Sequence, residues 1–337
     1  MPTSAAASSL GLPALHPSLE ADLSAGLGAV EELLRADVTS DYPLVTEAAR
    51  HLVDAGGKRF RPLLTLLAAQ FGDAERDEVR QAAVVVELTH LASLYHDDVM
   101  DEATLRRGAP STNVRFGNSV SILVGDFLFA RAAARVADLG PEAVRIQART
   151  FERLVVGQIR ETEGPRGGDP LEHYLAVLAD KTGSLIATSG RLGALQAGAG
   201  EGVAEVLTRY GELVGVAFQL ADDLLDVESD SAVSGKAVGT DLREGVETLP
   251  VLCFRRIADA ADPEDGRLLA LLDGDLADDA ALAEAVQRLR AHRALGDAHA
   301  EVRRWADRAR AELAPLAECP AKEALDALCA AVVERAS

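Results

Sequence analysis

Apolar residues recur along most of this chain at steps of three and four. Leu19, Leu23, Leu27 and Val30 form one such stripe, and Val206, Tyr210, Leu213 and Val214 another, the spacing that lines one face of an α-helix. Residues 82–96 and 213–225 are apolar on almost every face, the mark of a helix buried all round. No Asn-Gly or Asp-Gly turn stands between alternating strands, and Asp273-Gly274 merely separates leucine-rich helical stretches. The pattern predicts an all-α chain of about ten to fourteen helices with essentially no sheet. Its breaks are short: Gly56-Gly57, Arg107 to Pro110, Gly164 to Pro170 and Ser229 to Gly245. None resembles a flexible interdomain linker, and no solenoid period is visible. The expected organisation is a flexible tail over 1–17 and a single all-α domain over 18–337, with 259–337 a charged C-terminal layer.

Composition narrows the function. The chain has 337 residues, 48% of them hydrophobic and 4% aromatic. That excludes intrinsic disorder and argues against a β-rich fold. A formal net charge of −20 excludes a general nucleic-acid binder, which needs a basic field. Cys253, Cys319 and Cys329 are odd in number and lack metal-ligand spacing, so reduced thiols and a cytoplasmic location are expected. No apolar run reaches the ~18 residues of a membrane span, leaving at most peripheral membrane association. Met1 to Pro17 lacks a basic region followed by an apolar core and reads as a tail, not a signal peptide. Lysine occurs only at 58, 181, 236 and 322, which makes each one informative.

One near-echo stands out. Residues 91–101 and 216–226 both end an apolar helix in Asp-Asp-x-x-Asp: Asp97, Asp98 and Asp101, then Asp222, Asp223 and Asp226. On a helix, residues four apart lie on one face about one turn, ~5.4–6 Å, from each other. Asp97 with Asp101, and Asp222 with Asp226, can therefore converge on a hard cation. A few carboxylates, completed by water and phosphate oxygens, is how Mg²⁺ is usually held. A solvated acidic helix end is the plainer reading of one such cluster, and Asp275, Asp278 and Asp279 are assigned no more than that. Two copies, each entered through an apolar helix, favour a polynuclear Mg²⁺ site.

Basic groups answer these acids. Gly56-Gly57-Lys58-Arg59-Phe60-Arg61-Pro62 sets two glycines before three cations; glycine permits close backbone approach, and Lys58 and Arg61 offer a point charge and a bidentate fork. Arg106 and Arg107 follow Asp101 and can serve different phosphate groups or simply balance the aspartates. His90 lies two turns before Asp97, where a satisfied core histidine is the alternative. Lys181-Thr182 precedes Gly183, and Lys236 follows the second cluster. Two Mg²⁺-type clusters and a ring of Lys and Arg imply a pocket for two diphosphate-bearing molecules; a single nucleotide site fits poorly, because no Gly-x-x-x-x-Gly-Lys-Ser/Thr loop is present.

These segments, in this order over roughly residues 45–252, resemble the trans-polyprenyl diphosphate synthases, head-to-tail isoprenyl chain-elongating enzymes. Leu105-Arg106-Arg107-Gly108, Gly125-Asp126, Phe218-Gln219 and Gly239-Thr240-Asp241-Leu242 add to the likeness. The resemblance implies an isoprenoid-synthase-type barrel of antiparallel helices around a central cavity, normally a homodimer. It implies about three Mg²⁺ ions on the allylic diphosphate, held by Asp97, Asp101, Asp222 and Asp226, with Asp98, Asp223 and Lys181 also in the catalytic set. Arg106, Lys181, Thr182, Gln219 and Lys236 would grip the allylic prenyl diphosphate; Gly57, Lys58, Arg61, His90 and Arg107 would bind isopentenyl diphosphate. The reaction implied is ionisation of the allylic C–O bond, attack by the isopentenyl double bond and loss of a proton, with no protein nucleophile. One departure is Glu244-Gly245-Val246, where many members carry lysine at the third position.

Four, five and eight residues before Asp97 stand Ser93, Ala92 and Thr89, all small and on roughly the side a growing tail would run along. Short-chain enzymes often block these positions with aromatics. The expected product is therefore an all-trans polyprenyl diphosphate of the C30–C50 class, a quinone side-chain precursor, with C20–C25 the alternative. A class I terpene cyclase needs one substrate and would leave Lys58, Arg61, His90 and Arg107 without a role. A non-catalytic partner subunit would tend to lose an Asp-rich motif, and both are present.

Overall fold

The computed structural model describes residues 15–229 and 238–335. Lys236 and the first fourteen residues of the expected tail lie outside the described residues. In chain order the elements are α1 (Pro17–Asp37), α2 (Pro43–Asp54), α3 (Phe60–Ala69), α4 (Asp77–Met100), β1 (Leu105–Arg106), β2 (Ala109–Pro110), α5 (Thr112–Phe116), α6 (Asn118–Asp138) and α7 (Pro141–Glu163). They continue with α8 (Pro170–Leu178), a π-helical turn (Ala179–Gly183), α9 (Ser184–Gln196), α10 (Glu201–Glu228), α11 (Thr240–Arg243) and α12 (Leu249–Ile257). Last come α13 (Pro263–Leu272), α14 (Asp279–Ala291), α15 (Ala294–Glu312) and α16 (Pro320–Arg335). The fold is all-α, as the periodicity predicts. Proline opens α1, α2, α7, α8, α13 and α16, where its fixed φ suits the first turn and its missing N–H costs nothing.

Prediction and structure differ at one break. Residues 105–110 form a two-stranded antiparallel ribbon pairing Leu105 with Pro110 and Arg106 with Ala109. Its two turn residues, Arg107 and Gly108, have φ of 54° and 76°, as in the primed turns that suit a hairpin's twist. Arginine is not a signal for that turn, so the pattern gave no warning of it.

Contacts divide the described residues into two compact units: those within 15–152, 184–211 and 312–328, and those within 153–183, 212–229, 238–311 and 329–335. In the first, α4 is the central element, with Val84, Leu88, Leu91, Ala92 and Tyr95 fully buried in one cluster with residues of α1, α2 and α6. Each large aliphatic side chain so buried contributes about 1.5–3 kcal/mol. Tyr95 Oη donates to Ala48 O at 2.6 Å, so the largest ring in this core leaves no polar atom unsatisfied. α6 crosses α4 closely because residue 125 is glycine: a Cβ there would stand 2.4 Å from His96 Nε2 and 3.2 Å from Ala92 O.

In the second unit α12 packs against α8 and α14, and α13 against α14. The acidic residues of the C-terminal layer have structural work. Asp262 and Asp278 cap α13 and α14 by accepting from Glu264 N and Ala281 N at 2.8 and 2.9 Å, and Asp279 pairs with Arg243. Among the described residues, no helix is long and apolar enough to cross a membrane.

Candidate active site

The first unit gathers Gly57, Arg61, His90 and Arg107 around one cationic corner. Gly57 has φ +140°, a conformation that favours glycine, and a Cβ on it would stand 2.9 Å from Arg107 Cζ, so any side chain there would displace the guanidinium. Arg107 Nη1 donates to Leu52 O at 2.9 Å and to Gly56 O, which ties the ribbon's turn to the Gly-Gly-Lys loop. Arg61 is half-buried, and its Nε is buried without a hydrogen-bond partner. Burial brings the Arg61 pKa down to about 10, with Arg107 adding to the shift and Glu87 opposing it. Arg107 is lowered too, again chiefly by burial. Burial, and then Arg61, Arg107, Arg59 and Arg106, hold the His90 imidazole well below its usual range. His90 is therefore a neutral ring among four guanidinium groups. Lys58 is exposed beside them in sequence.

Arg59, to which the sequence reading gave no role, organises this corner. It sits in the left-handed region at φ 48° and opens α3. Its guanidinium donates to Glu87 Oε1 at 3.0 Å and Val53 O at 3.1 Å, and it pairs with Glu31. It thereby joins α1, α4 and the loop. Glu87 is 2% exposed, a buried acid within an apolar helix, and that was the available sequence signal.

The first acidic cluster ends α4. Asp97 is half-buried and Asp101 exposed. Asp101 N donates to Asp97 O at 2.8 Å, so the one-turn spacing expected of the pair is kept at the helix end. Asp98 points the other way and has no exposed surface. Its carboxylate accepts from Arg106 Nε at 2.7 Å and from Thr112 N and Oγ1, each at 3.3 Å. Arg106, expected at the allylic diphosphate, is thus paired with Asp98, while Arg107 turns to the backbone of α2 and its loop. The two adjacent arginines do diverge.

Upstream on α4, Ala92 lies in the core cluster and Ser93 is half-buried. Thr89 is fully buried and accepts from Gln147 Nε2 of α7 at 2.6 Å.

In the second unit, α8 runs into the π turn that carries Lys181 and Thr182; such one-turn bulges are frequent at functional sites. Asp180 anchors the turn, accepting from Arg153 Nε at 2.8 Å and Arg160 Nη1 at 2.6 Å. Lys181 Nζ donates to Glu161 Oε2 at 2.5 Å. On α10, Asp222 accepts from Arg335 Nη2 at 2.8 Å, and that guanidinium also lies 4.7 Å over the Phe218 ring. Asp226 accepts from Thr240 N and Asp241 N, each at 3.1 Å. Asp223 is 2% exposed and accepts from Tyr174 Oη at 2.5 Å and Leu249 N at 3.3 Å. Burial raises its pKa to about 7, against hydrogen bonds from Tyr174, the Leu249 amide and half-buried Gln219.

The donor set fits hard divalent cations. Each cluster offers carboxylate oxygens and no sulfur or imidazole, the chemistry of Mg²⁺ and Ca²⁺ sites. Among the described residues no three His, Cys, Asp or Glu side chains form a ready-made cage.

Comparison with known proteins agrees with this chemistry. A family model described as polyprenyl synthetase matches residues 42–289. A nonaprenyl diphosphate synthase of Mycobacterium tuberculosis is 49% identical over 317 residues, 94% of each chain. A dimethylallyltranstransferase of the same organism is 40% identical over 314 residues, covering 93% of this chain and 94% of that one. A geranylgeranyl pyrophosphate synthase of Corynebacterium glutamicum, crystallised with calcium and isoprenyl diphosphate, superposes with a TM-score of 0.86 at 44% identity, covering 96% of this chain and 99% of that one. This chain belongs to the polyprenyl synthetase family and is a prenyltransferase.

Proposed function

We propose that the protein condenses an allylic prenyl diphosphate with isopentenyl diphosphate, by ionisation, condensation and elimination, to give an all-trans polyprenyl diphosphate of the C30–C50 class. The observation that carries this reading is the corner formed by Arg61, Arg107 and His90. Two guanidinium groups with lowered pKa values face a neutral imidazole, and Arg61 Nε lacks a partner. Such a cluster is costly when empty and is relieved by a multiply charged anion. Gly57, Lys58, Arg61, His90 and Arg107 are assigned to isopentenyl diphosphate on that ground.

Asp97, Asp101, Asp222 and Asp226 are the groups that would hold Mg²⁺, and Arg106, Lys181, Thr182 and Gln219 those that would hold the allylic diphosphate. Bound Mg²⁺ supplies charge neutralisation on the departing diphosphate. Lys181 and Arg106, held in ion pairs with Glu161 and Asp98, have further N–H donors to offer arriving phosphate oxygens. His90, neutral, donates a ring N–H to isopentenyl diphosphate without adding charge. Ser93, small and half-buried, leaves a growing chain unobstructed by an aromatic at that position, and the 49% identical nonaprenyl diphosphate synthase supports the long-chain class. The geranylgeranyl pyrophosphate synthase at 44% identity favours a C20 product as the second reading. A second copy of this chain is the proposed partner, on the exposed stripe Val144, Phe151, Val155 and Ile159 of α7.

The test is incubation of the purified chain with farnesyl diphosphate, labelled isopentenyl diphosphate and Mg²⁺, followed by chromatography of the products. Products of C30–C50 are expected. Arrest at C20 overturns the length assignment, and consumption of the allylic diphosphate without isopentenyl diphosphate overturns the reaction.

A further inference from the structure

The two Asp-rich clusters share a feature that their role in holding cations does not require. In each, the second aspartate is the buried one: Asp98 has no exposed surface and Asp223 is 2% exposed. Successive residues of a helix are offset by about 100°, so a pair at i and i+4 turned outward sends i+1 toward the interior.

What each carboxylate meets there is the same. Asp98 accepts from the backbone N–H of Thr112, the first residue of α5. Asp223 accepts from the backbone N–H of Leu249, the first residue of α12. Each also takes one strong side-chain donor, Arg106 Nε at 2.7 Å and Tyr174 Oη at 2.5 Å. Those donors sit on the segments that carry phosphate-binding candidates. Arg106 lies in the ribbon whose turn bears Arg107, and Tyr174 lies on α8, which leads directly into the π turn with Lys181 and Thr182. Asp98 is further locked to its ribbon by its own carbonyl, which accepts from Ala103 N at 3.0 Å. Asp98 has one oxygen on Arg106 Nε and the other on Thr112 N and Oγ1, while Tyr174 Oη and Leu249 N converge on Asp223 Oδ2 and Gln219 donates to the same carboxylate, so each carboxylate spends most of its acceptor sites within the protein.

We propose that Asp98 and Asp223 are positioning residues and not metal ligands: Asp98 seats the arginine-bearing ribbon, and Asp223, through Tyr174 and the Leu249 amide, seats the helix that delivers Lys181 and Thr182. This rests on the reading of the clusters as cation sites for diphosphate. It adds Tyr174 and Thr112 to the residues on which the reaction depends.

The test compares Asp98→Asn, Asp223→Asn and Tyr174→Phe with Asp97→Asn and Asp222→Asn. Amide hydrogen exchange is measured in the metal-free protein, and the Mg²⁺ concentration for half-maximal activity in the assay above. Asp98→Asn is expected to speed exchange over 105–113 about tenfold. Asp223→Asn and Tyr174→Phe should do the same over 174–183, and Asp223→Asn also at 249–252. Their Mg²⁺ midpoints should stay within about twofold of the parent, with the loss appearing in KM for the allylic diphosphate or in kcat. Asp97→Asn and Asp222→Asn should leave those exchange rates alone and raise the Mg²⁺ midpoint about tenfold or more. Unchanged exchange with a raised midpoint in Asp98→Asn or Asp223→Asn overturns the proposal. An unaltered midpoint in Asp97→Asn and Asp222→Asn overturns the cation reading instead, and the exchange rates still decide the positioning role. Should Asp98→Asn fail to fold, Thr112→Val removes one of its donors and is read over the same segment.

Discussion

At Arg61 a cation is held half out of water beside a second one, with Glu87 as the opposing charge. Its pKa in the folded chain, about 10, lies below that of an ordinary arginine. Between the folded value and the ordinary one the unfolded chain binds the extra proton, so this residue's contribution to stability improves as pH rises above about 10. At neutral pH the penalty is complete. Arg61→Gln is therefore expected to leave the ligand-free Tm equal to or above that of the parent in a thermal melt, while raising KM for isopentenyl diphosphate about tenfold or more. A lowered Tm with unchanged KM would show that Arg61 is a structural cation. The tetrad Gly57, Arg61, His90 and Arg107 was legible in the sequence because each member belongs to a short motif. Arg59 was less so: its left-handed backbone and its two carboxylate partners come from α1 and α4, far along the chain.

At the scale of elements, α4 does two jobs along one length. Its middle is core and its C-terminal end is chemistry. Arg59 joins α4 to α1 by way of Glu87 and Glu31. Arg59→Ala leaves Glu87 buried and unpaired, and should cost about 3–5 kcal/mol in a urea melt, an amount that Arg59→Lys only partly restores because lysine lacks the fork. By sequence Ala92 and Ser93 share the side of α4 along which a growing tail would run. In the structure Ala92 is fully buried in the same core cluster as Val124 and Leu128, and its carbonyl lies beside the close crossing at Gly125, whereas Ser93 is half-buried. Ala92→Phe is thus expected to overpack the core, destabilising by about 1–3 kcal/mol in the same melt. Ser93→Phe should shorten the product with a smaller effect on stability, as read by chromatography. Unchanged product length in Ser93→Phe would remove that position from the path of the tail. Helical periodicity identified α4, but it could not say which neighbour each face would meet.

For the whole molecule, a net charge of −20 is the wrong guide to an anionic substrate. Asp262, Asp278 and Asp279 show where part of that charge goes, into caps and ion pairs of the C-terminal layer, while guanidinium groups collect at one corner. α7 carries the exposed apolar stripe, with Val155 44% and Ile159 52% exposed, and a second copy is the proposed cover. Val155→Glu with Ile159→Glu should shift the chain toward monomer in sedimentation; an unaltered mass would place the interface elsewhere. The all-α class, the two clusters and the family are legible in the sequence alone, because each rests on spacing within one helix or on a short run of residues. The described residues hold sixteen α-helices where about ten to fourteen are expected, the short α5 and α11 having too few turns to show a periodicity. Only the tertiary structure decided which carboxylate of each cluster turns inward, that Arg106 and Arg107 diverge, and that a hairpin stands where a loop was expected. Helix register sets the angle between neighbours on one helix, but Thr112, Tyr174 and Leu249 are supplied by other elements. Their arrival at Asp98 and Asp223 is a fact of packing that no local pattern encodes.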